Sequence, residues 1–382
     1  MRMIPEIKSV LRAESPELLS FLDRAFGFES GRNGFLSFLP KLYEECAEPW
    51  RYNLVTRDSA TGAISSALGL YPLHLRVAER QLSCMAFGNM AVDSEARGQG
   101  LMGLMMQNAV DLCRREGYDL AVLGGQRQRY ARFGFEGNCG DRTFLLTAAN
   151  FRHCCGDLPD SVTVRPVERA DSFLPELLAL HDAQPLYAER SPDRFYDILL
   201  SWNYRPYAAF RDGKPIGYFL RKGNEIRETV LRDPDDLIPV LRSAAGGEEL
   251  KVCFSPWETV LCLRAAAIAE SQGLMQWEKF AVFRFVPVLQ AFLTLRTATC
   301  VPDDGTLTVR IETDSGAENL TVSVRNGVPA VRESSAPPEL TLSYPEAMAF
   351  FFGNDSPARL ICPGAVRWLF PLPLSLRMAD HA

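Results

Sequence analysis

The segment from Phe87 to Glu136 constrains the fold more than any other part of the chain. It runs as an apolar strand FGNMAV, a turn DSEARGQG, a helix from Leu101 to Gly117, a short apolar strand LAVL and then RYARFGFE. Leu101, Leu104, Met105, Ala109, Leu112 and Cys113 recur at helical spacing, and Gly117 is placed to stop the helix. The last stretch sets Tyr130 just before an aromatic-Gly-aromatic hairpin. A strand feeding a glycine turn and a helix leaves a row of backbone N–H groups at the helix start. Such a row holds phosphate, because these donors have no partner within the helix and sit at the positive end of its dipole. Gly98 and Gly100 let the backbone approach a phosphate closely, and Arg97 adds charge. A simple tight turn uses the same two glycines. There is no Gly-Lys-Ser/Thr P-loop.

At 382 residues the chain is long for one core, which predicts two or three domains. No run of 18 apolar residues predicts a membrane span, and MRMIPEIKSVLRAES lacks the apolar core of a secretory signal. The ten cysteines include no CxxC pair, so a reduced, cytoplasmic protein with mostly buried thiols is expected. His74, His153, His181 and His381 show no metal spacing. A net charge of −6 without a basic run argues against nucleic acid as a partner.

Along the chain, IKSVLRAESPELLSFLDRAFGF predicts a strand and then a helix capped by Ser15 with Pro16 at its first position. FLSFLPKLYEEC predicts a helix divided by Pro40. Three antiparallel strands, YNLVTRD, ISSALGLYPLHLRVAE and LSCMAFGNMAV, come before the glycine turn. Residues 150–161 read as a connection. VTVRPVERADSFLPELLALHDA then opens a second unit that repeats the first in element order but has no glycine turn. From about residue 296, alternating apolar residues and the pairs Ser315-Gly316 and Asn326-Gly327 predict a β meander, followed by a short helix YPEAMAFFFG and an apolar tail. The fold class is α/β (α+β).

The run NMAVDSEARGQGLMGLMM with YDLAVLGG and RYARFGFE resembles the GNAT N-acetyltransferase superfamily. The resemblance implies acetyl-CoA as co-substrate, with no metal. Its pyrophosphate and pantetheine arm would be held by Met90, Ala91, Val92, Arg97, Gly98, Gln99, Gly100, Leu101, Met102, Gly125 and Gln126. Glu95 stands where the superfamily has Gln or Arg. Tyr130 matches the tyrosine that protonates the departing thiolate. The layout of the whole chain resembles the enhanced intracellular survival (Eis) family. That implies a GNAT domain at 1–150, a degenerate GNAT-like domain at 160–295 and a sterol-carrier-like domain at 296–382. It also implies a terminal carboxylate, here on Ala382, acting as general base, a homo-oligomer (trimer or hexamer) and a small cationic amine as acceptor. Two other readings are a coenzyme A sensor or apolar-ligand carrier without turnover, and a protein-lysine acetyltransferase.

The resemblance also makes the backbone N–H groups around Asn89–Ala91 candidates for stabilising an oxyanion. Cys84, Cys113 and Cys139 are expected in the core, as are Phe26, Phe28, Phe35, Phe38 and Tyr43. Glu44, Glu45 and Glu48 read as a solvated acidic face, and Trp202 as packing within the second unit.

Overall fold

The computed structural model describes residues 5–28, 34–156, 162–300, 303–314, 316–354 and 369–382. The chain begins with β1 (Lys8–Ser9), α1 (Ser15–Phe26), α2 (Phe35–Phe38) and α3 (Pro40–Tyr43), followed by β2 (Asn53–Arg57), β3 (Ile64–Val77) and β4 (Arg80–Val92). Ser15 is not a cap. The 3-10 turn Arg12–Glu14 runs straight into α1, and Glu14 accepts from the Leu11 N–H at 2.8 Å. Pro40 separates α2 from α3, since a ring without an N–H cannot continue the first helix. Next come α4 (Leu101–Arg115), β5 (Leu120–Gly124), α5 (Arg127–Tyr130), β6 (Glu136–Gly137), β7 (Asp141–Leu146) and α6 (Ala148–Cys155). Two expectations change here. The hairpin at RYARFGFE is instead a helical turn, with α5 passing into a 3-10 turn that Gly134 closes at φ +87°. The connection at 150–161 begins as α6, capped by the Thr147 hydroxyl accepting from the Asn150 N–H at 3.2 Å. Residues 157–161 lie outside the described residues.

The second unit contains β8 (Thr163–Pro166), α7 (Leu174–Asp182), β9 (Leu186–Ala188), α8 (Phe195–Leu200), β10 (Arg205–Arg211), β11 (Lys214–Lys222), β12 (Glu225–Leu231), α9 (Leu237–Ala245), β13 (Leu250–Phe254), α10 (Thr259–Ala266), β14 (Ser271–Met275), β15 (Glu278–Val282) and α11 (Phe285–Thr297). The last unit holds β16 (Gly305–Thr313), β17 (Gly316–Arg325), β18 (Val328–Glu333), β19 (Leu340–Ser343) and α12 (Tyr344–Phe352). Of the two turn pairs, Asn326-Gly327 joins β17 to β18 with both residues at positive φ. Ser315 is outside the described residues.

The two large sheets have the same plan. The first has the order β1-β2-β3-β4-β5-β15-β6, and the second β8-β10-β11-β12-β13-β7-β14. In each, the fourth and fifth strands are parallel and joined through a helix, while every other neighbour pair is antiparallel. The sixth place is exchanged: β15, from late in the chain, sits between β5 and β6, and β7 sits between β13 and β14. A division of the chain at residue 150 therefore does not follow the sheets, because Asp141–Leu146 belongs to the second one. The four-stranded sheet β18-β17-β16-β19 is separate.

The first sheet is buried on both faces. Met85, Phe87, Ala121 and Leu123 pack on α4 through Met105, Met106 and Ala109. Cys84, Ala86, Leu120 and Val122 face α11, the four-stranded sheet and the tail through Phe292, Val309, Leu372 and Leu374. The strand period of two assigns alternate residues to these cores. It places Gly88, two beyond Ala86, on the face of the tail.

Candidate active site

Both parallel pairs carry the same defect beside them. Between β3 and β4 the register passes from Ala67–Ala91 to Gly69–Gly88, so Leu68 alone faces Asn89 and Met90, and Asn89 takes φ +45°. Between β11 and β12 it passes from Tyr218–Val230 to Leu220–Arg227, with Glu228 at φ +48°. Such a bulge bends its strand and opens the parallel pair. The sequences then diverge. The first sheet puts Gly69 opposite Gly88, while the second puts Leu220 opposite Arg227. The helix that follows starts after Gly98 and Gly100 in the first unit, but after Asp233-Pro234-Asp235-Asp236 in the second. Three carboxylates at a helix start repel phosphate.

A cavity of about 560 Å³ opens at the α4 N-terminus, lined by Met90, Ala91, Val92, Arg97, Gly98, Gly100, Leu101 and Met102 together with Ala25, Phe26, Ala96 and Gly103. Arg129 and Arg132 line it too. Of the residues the sequence named for coenzyme A, Gln99, Gly125 and Gln126 are not among the lining. Gly98 and Gly100 have φ of +75° and +79°, and a Cβ added to either meets nothing within 4 Å, so the backbone there is open. A Cβ on Gly103 lies 3.6 Å from Arg132 Nη2, which brings that guanidinium over the first turn of α4. First-turn amides, the helix dipole and three arginines, with no acidic residue in the lining, fit a pyrophosphate. That Arg129 and Arg132 line this cavity was missed in the sequence, although the density of arginine around Tyr130 signals it.

Tyr130 ends α5 and lies over the end of β5. A Cβ on Gly125 comes within 2.6 Å of its Cε2, so the glycine makes room for the ring. Burial raises the phenol pKa above its ordinary value, and the charge of Arg129 offsets part of that. The group stays protonated at neutral pH.

The other end of the bulge carries the tail. A Cβ on Gly88 lies 2.9 Å from the Ala382 carboxyl carbon, and one on Gly69 lies 2.2 Å from Asn89 Oδ1 and 2.5 Å from Tyr71 Cε2. Gly69 and Gly88 are directly opposed, so their missing side chains clear one trough on one face of the sheet. Tyr43, Tyr71, Asn53 and Asn89 form a hydrogen-bonded row beside it.

Contacts from all along the chain hold the tail. Leu372, Leu374 and Leu376 are buried in the core of the first sheet. The Leu374 carbonyl accepts from Asn138 Nδ2 at 2.8 Å, and Arg377 donates to Glu258 at 3.0 Å. Arg190 grips Asp380 with two bonds of 2.7 and 2.9 Å and Glu228 with two of 2.6 and 3.0 Å. Burial alone would raise the Glu228 carboxyl, but Arg190 holds it at about 2. The bulge that frames the trough in the first unit thus anchors the tail in the second. Lys41 Nζ donates to the carbonyls of Ala379 and His381, and Trp202 Nε1 reaches the same His381 carbonyl at 3.2 Å. Trp202 also stacks edge-on against Phe38 at 5.0 Å, so it ties the units together beyond packing its own.

His381 packs on Trp277 with 4.2 Å between ring centroids, and its Nε2 lies 2.9 Å from Glu278 Oε1. Burial pushes Glu278 up to about 8. Burial and the charge of Lys41 push His381 down to about 3, and burial lowers Lys41 to about 7. Glu278 Oε2 accepts from Asn138 and the Leu376 N–H, while His381 Nε2 also lies 3.3 Å from the Leu376 carbonyl. Cys84, Cys113 and Cys139 are buried thiols. Glu44, Glu45 and Glu48 pair with Arg194, Arg12 and Arg51.

Among the described residues no helix is long and apolar enough to cross a membrane, and no group of three His, Cys, Asp or Glu is arranged for a metal. Residues 6–137 match the acetyltransferase (GNAT) domain family model. Among curated proteins no sequence matches the chain. Three solved structures share its fold end to end. A GCN5-related N-acetyltransferase from Kribbella flavida is 14% identical with a TM-score of 0.69, covering 99% of this chain and 100% of that one. One from Anabaena variabilis is 14% identical with a TM-score of 0.71, again covering 99% and 100%. Eis1 from Mycobacterium abscessus is 15% identical with a TM-score of 0.65, covering 99% and 100%. At these identities the likeness concerns the fold, while the family match speaks for the first sheet and its cavity. Residues 6–137 thus form an acetyltransferase (GNAT) domain, and the chain as a whole shares the fold of these three structures.

Proposed function

We propose that the chain transfers the acetyl group of acetyl-CoA directly to a primary amine of a small cationic acceptor, of aminoglycoside or polyamine type. The observation that carries this reading is the Ala382 carboxyl carbon lying 2.9 Å from the Cβ position of Gly88, beside the bulge at Asn89. Coenzyme A lies in the cavity at the α4 N-terminus, with its pyrophosphate on the first-turn amides and Arg97, Arg129 and Arg132. The thioester reaches the opening between β4 and β5, where backbone N–H groups near Asn89–Ala91 stabilise the oxyanion. The Ala382 carboxylate takes a proton from the amine, whose lone pair attacks the carbonyl carbon. The C–S bond breaks, and Tyr130 gives its proton to the thiolate. No covalent enzyme intermediate is needed.

A carrier role for the last unit is less favoured. Phe350, Phe351 and Phe370 fill the space there with centroids 5.0–5.2 Å apart. The test is thiol release from acetyl-CoA against a panel of amines, using wild type, Tyr130→Phe and a chain ending at His381. Turnover of one amine class, lost by roughly 10²-fold or more in both variants with coenzyme A binding kept, is the expected outcome. Coenzyme A binding without turnover of any amine moves the reading to a sensor.

A further inference from the structure

Asn89 has one buried atom that the protein does not use. Its Nδ2 donates to Asn53 Oδ1 at 2.9 Å, while its Oδ1 is buried and accepts from no protein group. The orientation of this amide follows from its neighbours. Asn53 Nδ2 is committed to the Pro49 carbonyl at 2.8 Å and the Tyr71 hydroxyl at 3.1 Å, and Tyr71 in turn donates to Tyr43 at 3.2 Å. Asn53 can therefore present only its oxygen to Asn89, which must answer with Nδ2 and turn Oδ1 away from Asn53. A buried acceptor without a donor is costly, and such groups call for a functional account. Gly69 keeps the space open, since its Cβ would sit 2.2 Å from this oxygen. The backbone fixes the side chain as well: Asn89 holds φ +45° in the bulge, a conformation asparagine tolerates better than most residues.

Asn89 Oδ1 lies over Gly69, and the Ala382 carboxyl lies over Gly88. Directly opposed Cβ positions are roughly 4.5–5.5 Å apart, so one nitrogen between the two groups can address both. We propose that Asn89 Oδ1 binds the acceptor amine and, with the Ala382 carboxylate, selects primary amines by using both of their N–H bonds. The proposal rests on the reading of Ala382 as the base. When a neutral primary amine attacks, its nitrogen forms the new C–N bond and still carries two hydrogens. One passes to the Ala382 carboxylate as the C–S bond breaks, and the thiolate is protonated by Tyr130. The other remains as the N–H of the product amide, held by Asn89 throughout. A secondary amine has only one hydrogen and must leave one of the two acceptors unpaired. An alcohol has the same deficit.

The test compares the best primary amine of the panel with its N-methyl derivative, in wild type and Asn89→Gly. Glycine suits the positive φ and removes the acceptor. Wild type should favour the primary amine by about 10²-fold or more in kcat/KM. Asn89→Gly should lose most of that factor on the primary amine and change the N-methyl amine by less than about threefold, so the ratio collapses. An equal fall on both amines in Asn89→Gly means a structural role only and overturns the proposal. A wild-type ratio near one overturns it even if the glycine variant does not fold. Full turnover by the chain ending at His381 rejects the base, whereas an inactive shortened chain with an unchanged ratio in Asn89→Gly rejects Asn89 alone.

Discussion

A single methyl group at residue 88 tests whether the terminal carboxylate takes part in turnover. Gly88 is not at positive φ, so alanine is acceptable to the backbone. Its Cβ, however, would lie 2.9 Å from the Ala382 carboxyl carbon, 3.0 Å from the Ala382 Cβ and 3.3 Å from the Ala382 oxygen. Ordinary contact between carbons is about 3.5–4.0 Å, so the carboxyl must retreat by roughly 0.5–1 Å. It cannot leave altogether, because Arg190 holds Asp380, and Lys41 and Trp202 hold the His381 carbonyl. The carboxylate remains near the site but out of position. A displacement of that size costs about 10²-fold in rate, or roughly 2.7 kcal/mol in the barrier. Stability should fall by about 1–3 kcal/mol from the crowding.

Initial rates with both substrates varied give the reading. We expect kcat to fall by about 10²-fold and KM for acetyl-CoA to change by less than about twofold, because the cofactor cavity is built from other residues. Gly137→Ala, whose Cβ meets nothing within 4 Å, serves as the control and should match wild type. A folded Gly88→Ala enzyme with wild-type kcat refutes the assignment of the base.

Arg132→Ala should raise KM for acetyl-CoA by roughly tenfold with kcat nearly unchanged, and the loss should shrink at high salt. Equal loss in kcat would place Arg132 in the chemical step instead. Arg190→Met leaves Asp380 and Glu228 buried without their cation and should cost about 3–5 kcal/mol in urea unfolding, with faster carboxypeptidase release of the last residues. Unchanged release would mean that other contacts hold the tail. Glu278, raised to about 8 by burial, binds its proton more tightly folded than unfolded. Its contribution is therefore complete below the ordinary carboxyl pKa and is lost as pH rises toward 8. Glu278→Gln removes that loss, so the stability of the variant relative to wild type should rise from pH 5 to pH 8, and a constant difference would contradict the shift.

The glycine turn that opens α4 was legible because it is local. Strand, Gly98, Gly100 and the start of α4 are contiguous, and so is the step from β5 to Tyr130, so backbone propensity alone places these groups near one another. Arg129 and Arg132 sit in that same stretch and were overlooked only because the motif names other residues. The repeat in element order between the two units was also visible in the sequence. The exchange of β7 and β15 was not, since an apolar strand of five or six residues carries no mark of which sheet it joins. Nor does the divergence of the second sheet show in its missing glycine turn alone, because Leu220 and Arg227 face each other only through the β11–β12 register.

The sequence by itself determined the glycine turn at the start of α4, the placement of Tyr130 beyond β5 and an apolar tail that had to be buried. Tertiary structure decided where that tail ends. Gly69, Gly88, Asn89 and Ala382 meet only once β3 pairs with β4 around a bulge and Arg190, Lys41 and Glu278 fix the last residues. Contacts between opposite ends of a chain are set by packing and register, which no local run of residues records.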